Sequence, residues 1–295
     1  MASIKKSTNF PAMLTKQMFM NVKGHSSLAK MAQSEPIAFA GNDVFVFSPA
    51  SDVSVVGEGA AKPAGDGTLA TKQIRPVKVV YQARVSDEFV YASEEAQLQY
   101  LESFREGFER MIARGFDKMA LHGINPATGS ASTVIGNNHL DYVVAHYNSG
   151  SNEVEYTHGT DIASDKIEEA ISTVEDANGL ILSNTMRTDL ATEVSADGQR
   201  KFPEFAFGNT PERLGTMAVD TNKTAGADYA VVGDFGAFKW GYAKEIPLEV
   251  IEYGNPDGGT YDLKQANEVL LRAEAYIGWA FIDDSAFARV IAPSA

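Results

Sequence analysis

Apolar and polar positions alternate along residues 68–86. There Val77, Val79, Tyr81, Ala83 and Val85 share one face of an extended chain, and Lys78, Gln82 and Arg84 share the other. A shorter run of the same kind opens at Val44 (VFVFSP), breaks at Pro49 and resumes at Val53, Val55 and Val56. Between the runs lies VVGEGAAKPAGD, residues 55–66, a tip of small residues without an aromatic side chain. The pattern predicts a hairpin with long arms. A two-stranded ribbon is marginal in water because it has one thin apolar face and two unpaired edges. It therefore needs cover, from its own domain or from another chain.

The period then changes from two to 3.6. Leu98, Leu101, Phe104, Phe108, Met111, Ile112, Phe116 and Met119 recur at spacings of three and four. Ser93 suits an N-cap, Glu94 and Glu95 the helix N-terminus, and Gly123 the residue past the C-terminus. A helix of about 30 residues spans roughly 45 Å, more than the diameter of a small domain, so an elongated molecule is expected. Gly107 and Gly115 should weaken or curve it. Residues 1–34 show neither period and are expected to form an extended arm.

After the turn NPATG (125–129) the pattern is mixed. Helices are expected over 162–176 and 186–194, a short buried strand over 180–182, and strand and turn over 208–220 and 230–239. A strand follows over 246–252. GNPDGG (254–259) reads as a tight loop at the tip of another hairpin, and strand is favoured over helix for 263–282. The class expected is α+β.

Composition narrows the function. The chain has 295 residues, net charge −14 and 44% hydrophobic residues, typical of a globular protein. No apolar run is long enough to cross a bilayer, and Lys16, Asn21, Lys23 and His25 interrupt any signal-peptide core. Cysteine is absent, which excludes disulfides and thiolate chemistry and fits a reducing compartment. Lys5, Lys6, Lys16, Lys23 and Lys30 precede the first acid, Glu35, so a basic arm joins an acidic body. Five scattered lysines without an arginine suit a protein-binding arm better than a nucleic-acid one.

Catalytic motifs fail on spacing. Gly57 to Pro63 cannot be a phosphate loop, because GxxxxGK[ST] is not met and Pro63 follows the lysine. His139, Asp141 and His146 could be drawn as a metal or base cluster, but the spacing matches no known ligand set, so loop histidines in an Asn-rich segment are the expectation. Glu168-Glu169 and Asp283-Asp284 read as solvated surface acids. No catalytic, cofactor-binding or metal-binding residue is assigned, and an enzyme is not expected.

The order of these features resembles the major capsid proteins of tailed bacteriophages with the Hong Kong 97-type fold. GEGAAKP is similar to the family's extended-loop tip, and the run from VSDEF to MALHG to its long spine helix. Ile181-Leu182-Ser183-Asn184 with Asp197-Gly198, Val232-Gly233-Asp234-Phe235, and Leu271-Arg272-Ala273-Glu274 with Asp284-Ser285-Ala286-Phe287 resemble further family segments in the family's order. The resemblance implies a self-assembling icosahedral shell around double-stranded DNA, built of hexamers and pentamers in the host cytoplasm and located in the virion. It implies separate scaffolding, portal and decoration proteins as partners, no sequence-specific DNA binding, no membrane and no cofactor. A cellular nanocompartment shell of the same fold is the alternative, and a metal-dependent α/β enzyme using His139, Asp141 and His146 a remote one.

On that reading, residues 1–34 are an N-terminal arm, and 35–90 are a strand plus the extended hairpin with its tip at 55–67. Residues 91–125 are the spine helix of a peripheral domain, 126–240 an axial α/β domain, and 241–295 the peripheral domain's returning strands. The residues expected to touch a neighbouring subunit are Val55, Glu58, Lys62, Pro63 and Asp66 at the tip, and Asn255 and Asp257 on the later loop. In some family members a loop lysine is linked to an asparagine of a neighbour, and Lys62 is the lysine at this tip.

Overall fold

The alternating run becomes one strand of 20 residues, Gly67–Ser86, about 66 Å long at 3.3 Å per residue. The computed structural model describes residues 26–49, 53–65, 67–88, 94–224, 228–244 and 248–293. In chain order its elements are α1 (Ser27–Met31), β1 (Asn42–Pro49), β2 (Gly67–Ser86), α2 (Glu94–His122), α3 (Leu140–His146), β3 (Glu153–Glu155) and α4 (Ala163–Ser172). They continue with β4 (Gly179–Leu182), α5 (Asn184–Thr192), β5 (Arg213–Leu214), β6 (Met217–Thr221), β7 (Asp228–Gly233) and β8 (Phe238–Lys244). Last come β9 (Leu248–Ile251), α6 (Leu263–Ala266), β10 (Glu268–Phe281) and β11 (Phe287–Ile291).

Two sheets result. The first has the order β1-β2-β10-β8, with β9 also paired to β10; the second has the order β3-β11-β7-β4-β6-β5. Strand β2 is paired in two stages, on opposite edges. Residues 75–86 run antiparallel to β10, from Trp279↔Arg75 to Glu268↔Ser86. Residues 67–74 run antiparallel to β1, from Asn42↔Ile74 to Pro49↔Gly67.

Helix α2 lies against the first sheet. Phe108, Ile112, Phe116 and Met119 share a core with Ala273, Ala275, Ile277 and Trp279 of β10, and Val77, Val79 and Tyr81 of β2 pack onto it. The second half of α2 is enclosed further, because Ala113, Asp117, Ala120 and Leu121 are buried as well. The six-stranded sheet has two covered faces. Leu180, Leu182, Val219, Val232 and Val290 meet Ile167, Met186 and Leu190 of α4 and α5, whereas Ile181 and Val231 face the α2 core. That is why β4 is a plain apolar run without alternation.

Several expectations change. Residues 27–31 are helical, so the arm is not extended throughout; residues 1–25 lie outside the described residues, as does the expected N-cap Ser93. No strand resumes at Val53, Val55 or Val56, since β1 ends at Pro49 and residues 53–65 pair with nothing in the chain's sheets. Met111 is 42% exposed rather than inward. Residues 140–146 form a helix where a loop was expected. Antiparallel β9 and β10 are joined not by a tight tip but by a long connection that includes α6. The closing strand β11 pairs with β7 and β3 in the six-stranded sheet, not with the returning strands of the first.

The helix at the end of the arm is held by one buried carboxylate. Asp117, 2% exposed on α2, accepts from the Ser26 hydroxyl at 2.5 Å, the backbone N–H groups of Ser27 at 3.1 Å and Leu28 at 3.4 Å, and the Asn222 amide at 2.8 Å. Ser26 is at once the N-cap, accepting from the Ala29 N–H at 3.1 Å. Past the helix the chain is strapped to β8, where Glu35 N–H donates to the Trp240 carbonyl at 2.8 Å and the Trp240 indole donates to the Ala32 carbonyl at 3.0 Å. Burial pushes the Asp117 carboxyl up to about 6, against the four donors that act to lower it.

Replacing Asp117 by Ala strands the Ser26 hydroxyl, two helix N–H groups and the Asn222 amide. The expected loss is roughly 1–3 kcal/mol in a denaturant titration, with faster hydrogen exchange at residues 26–35. The carboxyl itself adds a pH dependence. Its folded value of about 6 lies above the 3.8 of an ordinary aspartate, so the folded state takes up the proton first. The contribution of Asp117 to stability is therefore largest below about pH 4 and declines as pH rises to about 6, and Asp117→Asn should remove that slope from the urea midpoint.

Candidate assembly surface

In an antiparallel pair, residues directly opposite share a face. Phe45 opposes Thr71 and Phe47 opposes Leu69, which places both phenyl rings on the odd-numbered face of β2. Farther along β2 the same face carries Val77, Val79 and Tyr81, which pack on α2. This face is therefore apolar in two places, covered at Val77 to Tyr81 where α2 reaches it and open at Phe45, Phe47 and Leu69, with Thr71, Gln73 and Arg75 between them. On the open part Phe45 is 69%, Phe47 64% and Leu69 67% exposed. Phe47 lies across Gly67, where an added Cβ would fall about 2.3 Å from the ring. A side chain at 67 would lift the ring off the ribbon.

At the tip, Val55, Glu58, Lys62 and Pro63 are all exposed. The chain reverses there through an Ala60 N–H to Gly57 carbonyl bond of 3.1 Å, with Gly59 at φ +78. Asp66 lies outside the described residues. The small residues serve the turn, and the side chains of this segment find no packing partner among the core clusters of the chain.

Asn255 and Asp257 stand elsewhere, on the connection before α6. Both converge on Arg84, which projects from the even-numbered face of β2. The guanidinium donates to Asp257 through Nη2 at 2.6 Å and Nε at 2.7 Å, to Asn255 Oδ1 at 3.0 Å and to Glu268 at 3.1 Å, and lies 5.6 Å from the Tyr261 ring. The hydrogen bonds from Arg84 hold the Asp257 carboxyl well below the usual carboxylate range. The loop is thus pre-shaped by its own strand. The sequence pattern named its residues but not Arg84 as the group that orders them.

Beside the ribbon, a groove of about 680 Å³ runs between β2 and α2. Its floor includes Val77, Val79, Met111 and Val134, and its rim Lys78, Arg114 and Lys118. Arg114 and Lys118, neither of them buried, lie four residues apart on one line of α2.

The remaining polar clusters do not assemble a catalytic or metal centre. His139 Nδ1 accepts the Tyr142 N–H at 3.0 Å and caps α3. Asp141 pairs with His122 at 2.8 Å and with Arg289 at 3.0 Å, and His146 stacks on Tyr142 at 3.8 Å. Among the described residues no group of three His, Asp or Glu could hold a metal ion. Asp117 was missed in the sequence, although an acid between Phe116 and Met119 on an apolar helix face was the available signal.

Releasing the Arg84 clamp should free the loop without unfolding the sheet. In Arg84→Ala, limited proteolysis is expected to cut faster within residues 254–261 while circular dichroism stays unchanged.

The chain matches the model of the phage capsid family over residues 10–290. Among curated proteins no similar sequence is found. Of solved structures, a chain from Mycobacterium phage Ogopogo is 31% identical with a TM-score of 0.76, covering 91% of this chain and 92% of that one. A chain from Gordonia phage Cozz is 24% identical with a TM-score of 0.73, covering 92% and 87%. A structure described as the capsid of an empty GTA particle computed with C5 symmetry shares the fold at 16% identity and a TM-score of 0.65, covering 92% and 90%.

Proposed function

The chain belongs to the phage capsid family, and from that premise we propose how its open surfaces are used. It is a major capsid protein of Hong Kong 97-type fold that associates with copies of itself into an icosahedral shell. In the assembled shell, the ribbon of each subunit lies on a neighbour, which covers Phe45, Phe47 and Leu69. The observation that carries this reading is the exposed apolar cluster of Phe45, Phe47 and Leu69 on the part of the ribbon that runs past α2. Complete burial of such a side chain contributes about 1.5–3 kcal/mol, whereas an exposed ion pair contributes about 0–1 kcal/mol. The aromatic face therefore supplies most of the contact energy, and polar residues set its register.

Val55, Glu58, Lys62, Pro63 and Asp66 are assigned to the contact at the tip, with Asn255 and Asp257 to a second contact through the loop that Arg84 holds rigid. The groove between β2 and α2 suits a neighbour's tip: its floor takes Val53 and Val55, and its cationic rim faces Glu58 and Asp66. The five-stranded sheet with α2 corresponds to the peripheral domain. The six-stranded sheet corresponds to the axial domain, extended by β11 beyond the interval read from sequence. The shell would enclose double-stranded DNA, assembled in the host cytoplasm with separate scaffolding, portal and decoration proteins, and the subunit would have no enzymatic role.

The test is the double substitution Phe45→Ser, Phe47→Ser. Both rings are exposed in the subunit, so its unfolding free energy should stay within about 1 kcal/mol of the parent value. Shell yield by negative-stain microscopy should fall by more than tenfold. Normal shells from the double variant would remove the ribbon from the contact.

A further inference from the structure

Two histidines meet where α2 ends, and their surroundings require opposite protonation states. His122 Nδ1 faces Asp141 Oδ2 at 2.8 Å, and its Nε2 faces the Thr224 carbonyl at 3.1 Å. Both partners are acceptors, so the ring satisfies both only as the imidazolium, donating at each nitrogen. His139 has the reverse demand, because its Nδ1 accepts the Tyr142 N–H at 3.0 Å and that nitrogen must stay unprotonated. Gly123, at φ +64 directly after His122, lets the His139 ring lie against the end of α2. A Cβ there would lie about 1.8 Å from His139 Cδ2, so the end of the helix is pressed against the His139 ring.

The charges around them alternate. Asp141 also pairs with Arg289 of β11 at 3.0 Å, and Arg289 pairs in turn with Glu153 at the start of β3. On the other side, the Thr224 N–H and hydroxyl donate to Asn222 Oδ1 at 2.7 and 2.6 Å, and Asn222 donates to Asp117, the anchor of α1. One polar chain thus runs from the arm helix through α2 to the six-stranded sheet: Ser26, Asp117, Asn222, Thr224, His122, Asp141, Arg289, Glu153.

We propose that the junction of α2 with the six-stranded sheet is a proton-operated joint, closed while His122 is charged and His139 neutral, and opened when His139 takes a proton. Protonation of Nδ1 removes the acceptor that caps α3 and sets a second cation beside His122 and Arg289. Desolvation by burial lowers the His139 pKa, Asp141 raises it, and His122 and Arg289 lower it again. The folded value lies below the ordinary 6.5, so this group stabilises the closed joint above about pH 6.5, and that contribution is lost as pH falls. The sign is opposite to that of Asp117 on the same chain of bonds, which separates the two in experiment. A joint of this kind would let acidity loosen the axial sheet from the spine helix without unfolding either. This inference does not depend on where the ribbon docks.

Hydrogen exchange of the full chain, free and in shells, tests it at about pH 7 and about pH 5 after correction for intrinsic rates. Amides of residues 140–147 should exchange severalfold faster at the lower pH, with no matching change in the core of α2. His139→Asn and His139→Ser keep a capping side chain that does not titrate, and either should retain protection at both pH values. His122→Gln removes a cation beside His139 and should move the midpoint of opening to higher pH. Equal protection of the parent at both pH values, acid opening in the folded His139 variants, or an unmoved midpoint in His122→Gln would each overturn the proposal. Failure of the ribbon substitutions to block shells would leave this result untouched.

Discussion

A strand longer than the body that covers it governs this structure. β2 has 20 residues, of which 75–86 are held by β10 and lie over α2, and 67–74 are held only by β1 beyond them. The face that packs on α2 at Val77, Val79 and Tyr81 turns polar at Arg75, Gln73 and Thr71, and the overhang regains an apolar surface at Leu69 with Phe45 and Phe47 of β1. Among the described residues no core cluster includes Phe45, Phe47 or Leu69, and a register slip of one residue on β10 would turn Val77, Val79 and Tyr81 away from α2. The subunit is therefore incomplete by construction, and a second copy is the natural complement in a protein that forms shells.

The other half of the design keeps the rest of the chain rigid beneath that overhang. Asp117 is a buried charge with four donors, a costly group if any of them is lost, and its position fixes the segment that leads into β1. The Trp240 strap and the Ile37–Ile74–Ala280 cluster continue the attachment on the far face of the sheet. Arg84 does the same for the later loop. The surfaces assigned to contacts are thus presented by elements tied to the core with specific hydrogen bonds, which lowers the ordering cost of docking.

Much of this was legible in the residues. Alternation located β2, three-and-four spacing located α2 to within a few residues, and the order of weak motifs carried the family resemblance. What the residues did not reveal has physical causes. Residues 27–31 carry too few apolar positions for a period, and their helix exists because Asp117, some ninety positions away, caps it. The strand expected at Val53 to Val56 has the propensity but finds no partner strand, and strands exist by pairing. α3 was read as a loop because His139, an uncommon cap, starts it. Residues 287–291 were read with the returning strands of 241–295 on the family resemblance, whereas after the turn at Asp283–Ala286 β11 pairs with β7 and β3. For the candidate contacts, exposure of the tip followed from composition; the aromatic pair on β1 needed the register.

The most direct measurement compares hydrogen exchange of residues 42–49 and 67–74 in intact shells with that in dissociated subunits. In the subunit the ribbon is paired on one edge of β2 only, with its aromatic face open. Marked protection of both segments on assembly is expected, since a neighbour then lies over them. Equal exchange in the two states would contradict the assignment of the ribbon as the surface on which one subunit holds the next.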